Sequence, residues 1–193
     1  MEVERPSALD SRRMIQVDSI LTRIQERVRA SPASYVHLSA ITLVVTFLVM
    51  LLGAYTSAIG AGLSCPDWPM CYGTWIPFLH PDIVATSSYS PLQIFAEWAH
   101  RGLAMIAGFL IVGTGLGAWL CYRETVIVKW SATLALILLP IQVLLGGLTV
   151  TANLQPIVVT SHLGVAMVIL LNLLTASLTS YLRQDTGRYA QVH

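Results

Sequence analysis

Residues 96–121 read AEWAHRGLAMIAGFLIVGTGLGAWLC, and this stretch decides the fold. From Gly102 onward it carries no charged side chain. A hydrocarbon core of about 30 Å is crossed by roughly 20 helical residues. Inside lipid the backbone must satisfy its own N–H and C=O groups, which a helix does. The first turn of the same run nevertheless holds Glu97, His100 and Arg101, side chains that are expensive in a membrane and mark function where they occur.

Three more runs of this kind lie on either side, over 37–59, 128–150 and 158–182. The chain is 55% apolar and 11% charged, against about 25% charged residues in a soluble domain. The expected fold is an all-α membrane protein, a four-transmembrane-helix bundle surrounded by membrane lipid. The length fits one domain, and no internal repeat or low-complexity tract interrupts it. A net charge of +1 provides no basic field for nucleic acid, so no nucleic-acid partner is expected.

Lys and Arg set the expected orientation. Arg5, Arg12, Arg13, Arg23, Arg27 and Arg29 precede the first span, Arg123 and Lys129 lie between spans two and three, and Arg183 and Arg188 lie in the tail. The connections 60–95 and 151–157 have neither residue. Both termini are therefore expected in the cytoplasm, with a long outer loop between spans one and two. The domain plan is a cytoplasmic N-terminal segment over 1–34, a transmembrane domain over 35–184 and a cytoplasmic tail over 185–193.

Met14, Val17, Leu21, Ile24 and Val28 recur at helical spacing among charged residues, the pattern of an amphipathic helix. Its apolar core is too short for a signal peptide, and Glu2, Glu4, Asp10, Asp18 and Glu26 argue against a transit peptide. It suits the membrane surface or a docking partner equally.

The outer loop contains Cys65-Pro66-Asp67-Trp68-Pro69-Met70-Cys71. Disulfides persist outside the cytoplasm, and these two thiols can close a small ring. The ring would be a redox participant if reducible, or a clip that shapes the loop. Two cysteines without nearby histidines do not make a zinc set. Cys121, at the other end of span two, reads as a small apolar residue. Trp68, Tyr72, Trp75 and Phe78 fit an interfacial aromatic belt or a cover for a flat apolar ligand. So long a connection usually has a function or is disordered.

Of the five histidines, His193 is terminal, His37 is interfacial and His80 lies in the loop. His100 and His162 each stand about one turn into spans two and four, counted from the outer side, so their imidazoles share a depth. Such a pair can hold a low-spin haem, since haem iron accepts axial histidine and bundle cores host cofactors. The alternative for either residue alone is a hydrogen-bonded core histidine. Glu97, three residues before His100, shares its helix face. Its carboxylate can stabilise positive charge at a haem edge or take a proton from water attacking a substrate carbon; the plainer reading pairs it with Arg101 or the loop. Arg101 can fork onto a haem propionate or snorkel toward water. In span three, Pro140 implies a kink, and Gly146 and Gly147 allow a helix or a porphyrin face to approach closely. Gly113 and Gly117 make a Gly-x-x-x-Gly contact, within the chain or between chains.

These motifs resemble the haem A synthase family, bacterial and mitochondrial proteins serving cytochrome oxidase. The resemblance rests on GAY at 53–55, GAGLSCPDWPMCYG at 60–73, EWAHR at 97–101, QVLLGGLTV at 142–150, and PIVV at 156–159 with His162-Leu163. It covers roughly 53–182. It implies oxidation of the C8 methyl of haem O to a formyl group by successive hydroxylation with water-derived oxygen. His100 and His162 match the family's haem-iron ligands, Glu97 its essential acid, and Cys65 and Cys71 the outer-loop pair that forms a disulfide in many members. The haem is haem b, or haem O and haem A as substrate and product. The resemblance also implies haem O synthase, a farnesyltransferase, and oxidase-assembly proteins as partners, and the plasma membrane of a prokaryote as location.

Two departures stand out. Most members have eight spans in two four-helix halves, so a four-span chain works as a homo-oligomer or serves only as a haem-binding electron-transfer or accessory subunit of a terminal oxidase. Ser57 stands where many members have arginine.

Overall fold

The fold is that of a computed structural model describing residues 32–189. The amphipathic helix expected from Met14 to Val28 and the last residues of the tail lie outside the described residues. Five α-helices and one 3₁₀ turn make up the regular structure among the described residues: α1 (Pro32–Ala58), the 3₁₀ turn (Pro77–Leu79), α2 (Pro81–Thr86), α3 (Pro91–Cys121), α4 (Val126–Thr151) and α5 (Pro156–Tyr189). Four of them, α1, α3, α4 and α5, are long and apolar enough to cross a membrane.

The third helix starts ahead of the apolar run for a local reason. Ser90 and Gln93 form a capping box in which Ser90 Oγ accepts from the Gln93 N–H and Gln93 Oε1 accepts from the Ser90 N–H. Pro91 occupies the first turn, where its missing N–H has no partner to lose. The Gln93 amide also donates to the Ile59 carbonyl at 2.8 Å, which ties the start of α3 to the end of α1.

Short connections, 122–125 and 152–155, make α3, α4 and α5 successive antiparallel neighbours. Helix α1 packs against both α3 and α5, and α4 also packs against both. The ring order is therefore α1, α3, α4, α5, which sets α3 and α5 across the diagonal. Lipid provides little hydrophobic drive between helices, so close packing of small residues holds such a bundle. Ala118, Ala132, Ala135 and Ala176 are buried accordingly, and a Cβ added at Gly115 would meet Leu136 at 2.9 Å. Gly113 and Gly117 face Leu38 and Tyr35 of α1, so that glycine pair serves a contact within the chain. Thr42 and Thr114 share a buried hydrogen bond of 2.8 Å between α1 and α3, a kind of contact worth about 0.6 kcal/mol in a membrane. Outward-facing positions are apolar: Phe109 is 74% exposed, which suits lipid and not water.

The core divides along the bundle axis. One cluster, around Tyr35, Tyr122, Val128 and Ala176, fills the end away from the long loop. A second, around Ile111, Ala135, Ile169 and Leu173, fills the middle. A third, around Cys65, Cys71 and Ile94, belongs to the loop and the start of α3. Between the second and third clusters lies a level populated by glycines and polar rings.

Candidate functional site

That level contains the two histidines singled out by sequence. His100 stands on α3 and His162 on α5, the diagonal pair of helices. Glycines on the two remaining helices make room for the rings. A Cβ at Gly53 of α1 would lie 2.8 Å from His100 Cε1, and one at Gly146 of α4 would lie 3.3 Å from His162 Cε1. Gly53→Ala is expected to displace the His100 ring at about 1–3 kcal/mol of overpacking. The check is a lowered unfolding midpoint in detergent, against no loss for Gly164→Ala, where an added Cβ meets nothing within 4 Å.

The Nδ1 atoms of both rings are buried without a hydrogen-bond partner. A buried polar atom left unpaired is costly and needs an explanation. On the other ring nitrogen, Nε2, His162 faces the Gln142 amide nitrogen at 3.4 Å, and Gln142 Oε1 is itself buried and unpartnered. Among the described residues no group of three or more His, Cys, Asp and Glu comes together. The donor set is thus two imidazoles, and it suits a group with its own equatorial ligands. His37 and His80 are exposed and lie elsewhere, His37 bonded to the Ala33 carbonyl in the first turn of α1.

One turn toward the loop lies Glu97, 6% exposed. Arg101 Nε donates to its Oε1 at 3.0 Å, an i,i+4 pair on one face of α3. The remaining guanidinium donors point into the loop. Nη1 donates to the carbonyls of Asp67 and Met70, the latter at 2.6 Å, and Nη2 to that of Cys65 at 2.8 Å. Arg101 therefore neither snorkels nor stands free at the interface; the loop occupies four of its five N–H directions together with Glu97.

The loop is built around a Cys65–Cys71 disulfide, with Cα atoms 4.6 Å apart. Both cysteines are fully buried against Ile94, Phe78 and Trp98. The Asp67 carboxylate accepts from the Tyr72 and Gly73 N–H groups at 2.6 and 2.7 Å and so caps the turn that closes the ring. Tyr72 and Gly73 have positive φ, 56° and 71°; glycine takes that conformation without penalty. Trp68 lays its indole against Gly147 of α4, and Trp98 Nε1 donates to the Trp75 carbonyl at 2.7 Å. Of the Gly146–Gly147 pair, one glycine thus makes space for a histidine and the other for a tryptophan. A cleft of about 390 Å³ opens one turn beyond Gly53, with Ser57, Leu63, Leu154 and Val159 in its wall. Ser57 therefore presents a hydroxyl, and no cation, at that position.

Sequence reasoning brought His100, His162, Glu97, Arg101, Cys65 and Cys71 forward, and all six lie at the loop end of the bundle. It missed the cap formed by Asp67, the Ser90–Gln93 box and the partnership of Gln142 with His162. Only the Ser-x-x-Gln spacing of the box carried a readable signal.

The chain matches the family model described as Cytochrome oxidase assembly protein over residues 36–192. It is similar to a Heme A synthase of Shewanella oneidensis, 40% identical over 144 residues, which is 69% of this chain and 42% of that relative. A Heme A synthase of Bacillus pumilus is 28% identical over 163 residues, 81% of this chain and 48% of the relative. A Protoheme IX farnesyltransferase of Halobacterium salinarum is 31% identical over 121 residues, 63% of this chain and 24% of the relative. This chain spans less than half the length of each of these relatives. No solved structure matches it. Because the family match runs from the first membrane helix through the last, this chain belongs to the cytochrome oxidase assembly protein family, COX15-CtaA.

Proposed function

We propose that the chain acts as a haem A synthase, oxidising the C8 methyl of haem O to a formyl group. The observation that carries this reading is the diagonal pair His100 and His162, each with a buried Nδ1 lacking a partner, with Glu97 one turn away. The residues fit haem: two imidazoles stand on the diagonal helices α3 and α5, each with a buried Nδ1 lacking a partner, and Gly53 and Gly146 leave the rings room. His100 and His162 would hold the haem iron. Haem, when bound, supplies an iron centre whose remaining ligands are its own, which matches a two-residue donor set.

In the reaction the methyl carbon loses two C–H bonds and gains a C=O whose oxygen comes from water. Four protons and four electrons leave, the electrons to an external acceptor. Glu97 is the side chain suited to the proton side of this chemistry, as a base toward the attacking water or as a fixed negative charge beside a carbon that becomes electron-poor. A propionate role for Arg101 would have to use the one N–H that Glu97 and the loop leave over.

The relatives named Heme A synthase support this activity, and the reading includes a homo-oligomer as the working form. The similarity to part of a farnesyltransferase supports a haem O-forming enzyme as partner. Lys and Arg placement supports an orientation with the loop end outside and both termini in the cytoplasm, and the prokaryotic organisms of the relatives support a plasma membrane location. The same two histidines would also serve a second reading, a haem-binding accessory subunit of a terminal oxidase.

Co-expression with a source of haem O, followed by extraction and chromatography of the haems, separates the two. Haem A formed only when this chain is present is the expected result. Haem O alone, with the haem spectrum of the purified protein intact, would leave the accessory subunit.

A further inference from the structure

Three carbonyls of one small ring, those of Cys65, Asp67 and Met70, converge on a single guanidinium. Carbonyl oxygens brought together around one point repel each other unless a cation sits there. The ring is held in that shape by the Cys65–Cys71 bond, by the Asp67 cap on Tyr72 and Gly73 and by the paired backbone bonds of Cys71 with Thr74. Arg101 meets the carbonyls with Nη1 and Nη2, and that grip turns its Nε toward Glu97. A planar guanidinium cannot rotate one edge without moving the other.

We propose that Arg101 is a positioning residue that couples the redox state of the Cys65–Cys71 ring to the Glu97 carboxylate. With the disulfide closed, three carbonyls fix the guanidinium and Glu97 receives one hydrogen bond from Nε. When the loop lifts and exposes the sulfurs, which are buried in the closed form, a dithiol reductant opens the S–S bond; two electrons and two protons pass to the cysteines, and the dithiol leaves as its own disulfide. The ring then loses its covalent closure, the carbonyls spread, and the freed Nη groups turn to Glu97, the strongest acceptor in reach. The carboxylate changes partners one helical turn from His100. This inference rests on the reading of Glu97 as the catalytic carboxylate, but the coupling has a readout of its own.

The test is infrared difference spectroscopy on the full-length, haem-loaded protein in detergent. Samples are compared before and after treatment with dithiothreitol, with the haem iron reduced in both. The Glu97 band is the one missing in Glu97→Gln. In the unsubstituted protein this band is expected to move when the disulfide opens. The double variant Cys65→Ser/Cys71→Ser is expected to show the moved band without reductant. Arg101→Lys keeps the charge but cannot bridge four acceptors, so its band is expected to be moved already and to lose most of its response to dithiothreitol. In turnover, Arg101→Lys and the double cysteine variant are expected to lower kcat with KM unchanged, and their effects are expected not to multiply when combined. A Glu97 band that ignores disulfide opening, or that responds equally in Arg101→Lys, overturns the coupling. Absence of haem A from a protein whose Glu97 band follows the disulfide would instead overturn the assigned reaction and leave the coupling standing.

Discussion

Replacing His100 or His162 by alanine is expected to abolish the low-spin absorption bands of the haem-loaded protein while four helices still insert. Loss of partners one shell out from a metal typically lowers affinity by about 10–100-fold, and loss of a residue that holds the iron itself should exceed that. Either substitution removes one imidazole of a two-residue donor set, and no third His, Cys, Asp or Glu among the described residues stands close enough to form a cluster with the pair. His37→Ala and His80→Ala, at exposed positions away from the pair, are the comparison and should leave the bands in place. Optical spectra of the four purified variants decide the matter. Unchanged spectra in the His100 and His162 variants would remove both residues from haem binding.

Glu97→Gln should separate binding from chemistry. The amide keeps the size of the side chain and can still accept from Arg101 Nε, so the loop and the bound haem should remain. What disappears is the negative charge and the basic oxygen. General acid–base groups typically contribute roughly 10²–10⁴-fold to a rate, and haem A formation in co-expressing cells is expected to fall by that order, with haem O accumulating. Haem A output equal to that of the unsubstituted protein would take Glu97 out of the mechanism. The contrast with the histidine variants matters, because a residue that only held the loop would change haem retention and turnover together.

Much of the site's depth could be read from the chain alone. Apolar runs locate each span along the chain, and a count of turns from the loop-side end then puts His100 and His162 near the loop ends of α3 and α5. Glu97 follows from helical spacing, since three residues back on α3 is the same face. What could not be read is the set of partners. Arg101 was open to a propionate, to water or to Glu97, and nothing in EWAHR distinguishes these. Its three loop acceptors lie 31 to 36 positions earlier in the chain, and they converge only once the ring has closed and folded onto α3. Gly53 and Gly146 are equally mute in sequence. A glycine in a membrane helix allows close approach by anything, and only the packed bundle shows that each faces a histidine ring.

The sequence by itself determined four helices long and apolar enough to cross a membrane, how far along each helix a side chain stands, and which two cysteines share the long loop. These properties are one-dimensional: they follow from rise per residue, from the need to satisfy the backbone in lipid, and from local spacing. The tertiary structure alone decided the order of helices around the bundle, the rotation of each about its axis, and the seating of Arg101 between the ring and Glu97. Hydropathy is nearly blind to those choices, because the outward and inward faces of a membrane helix are both apolar. They are settled by where small residues let backbones approach and by where the few polar groups find partners.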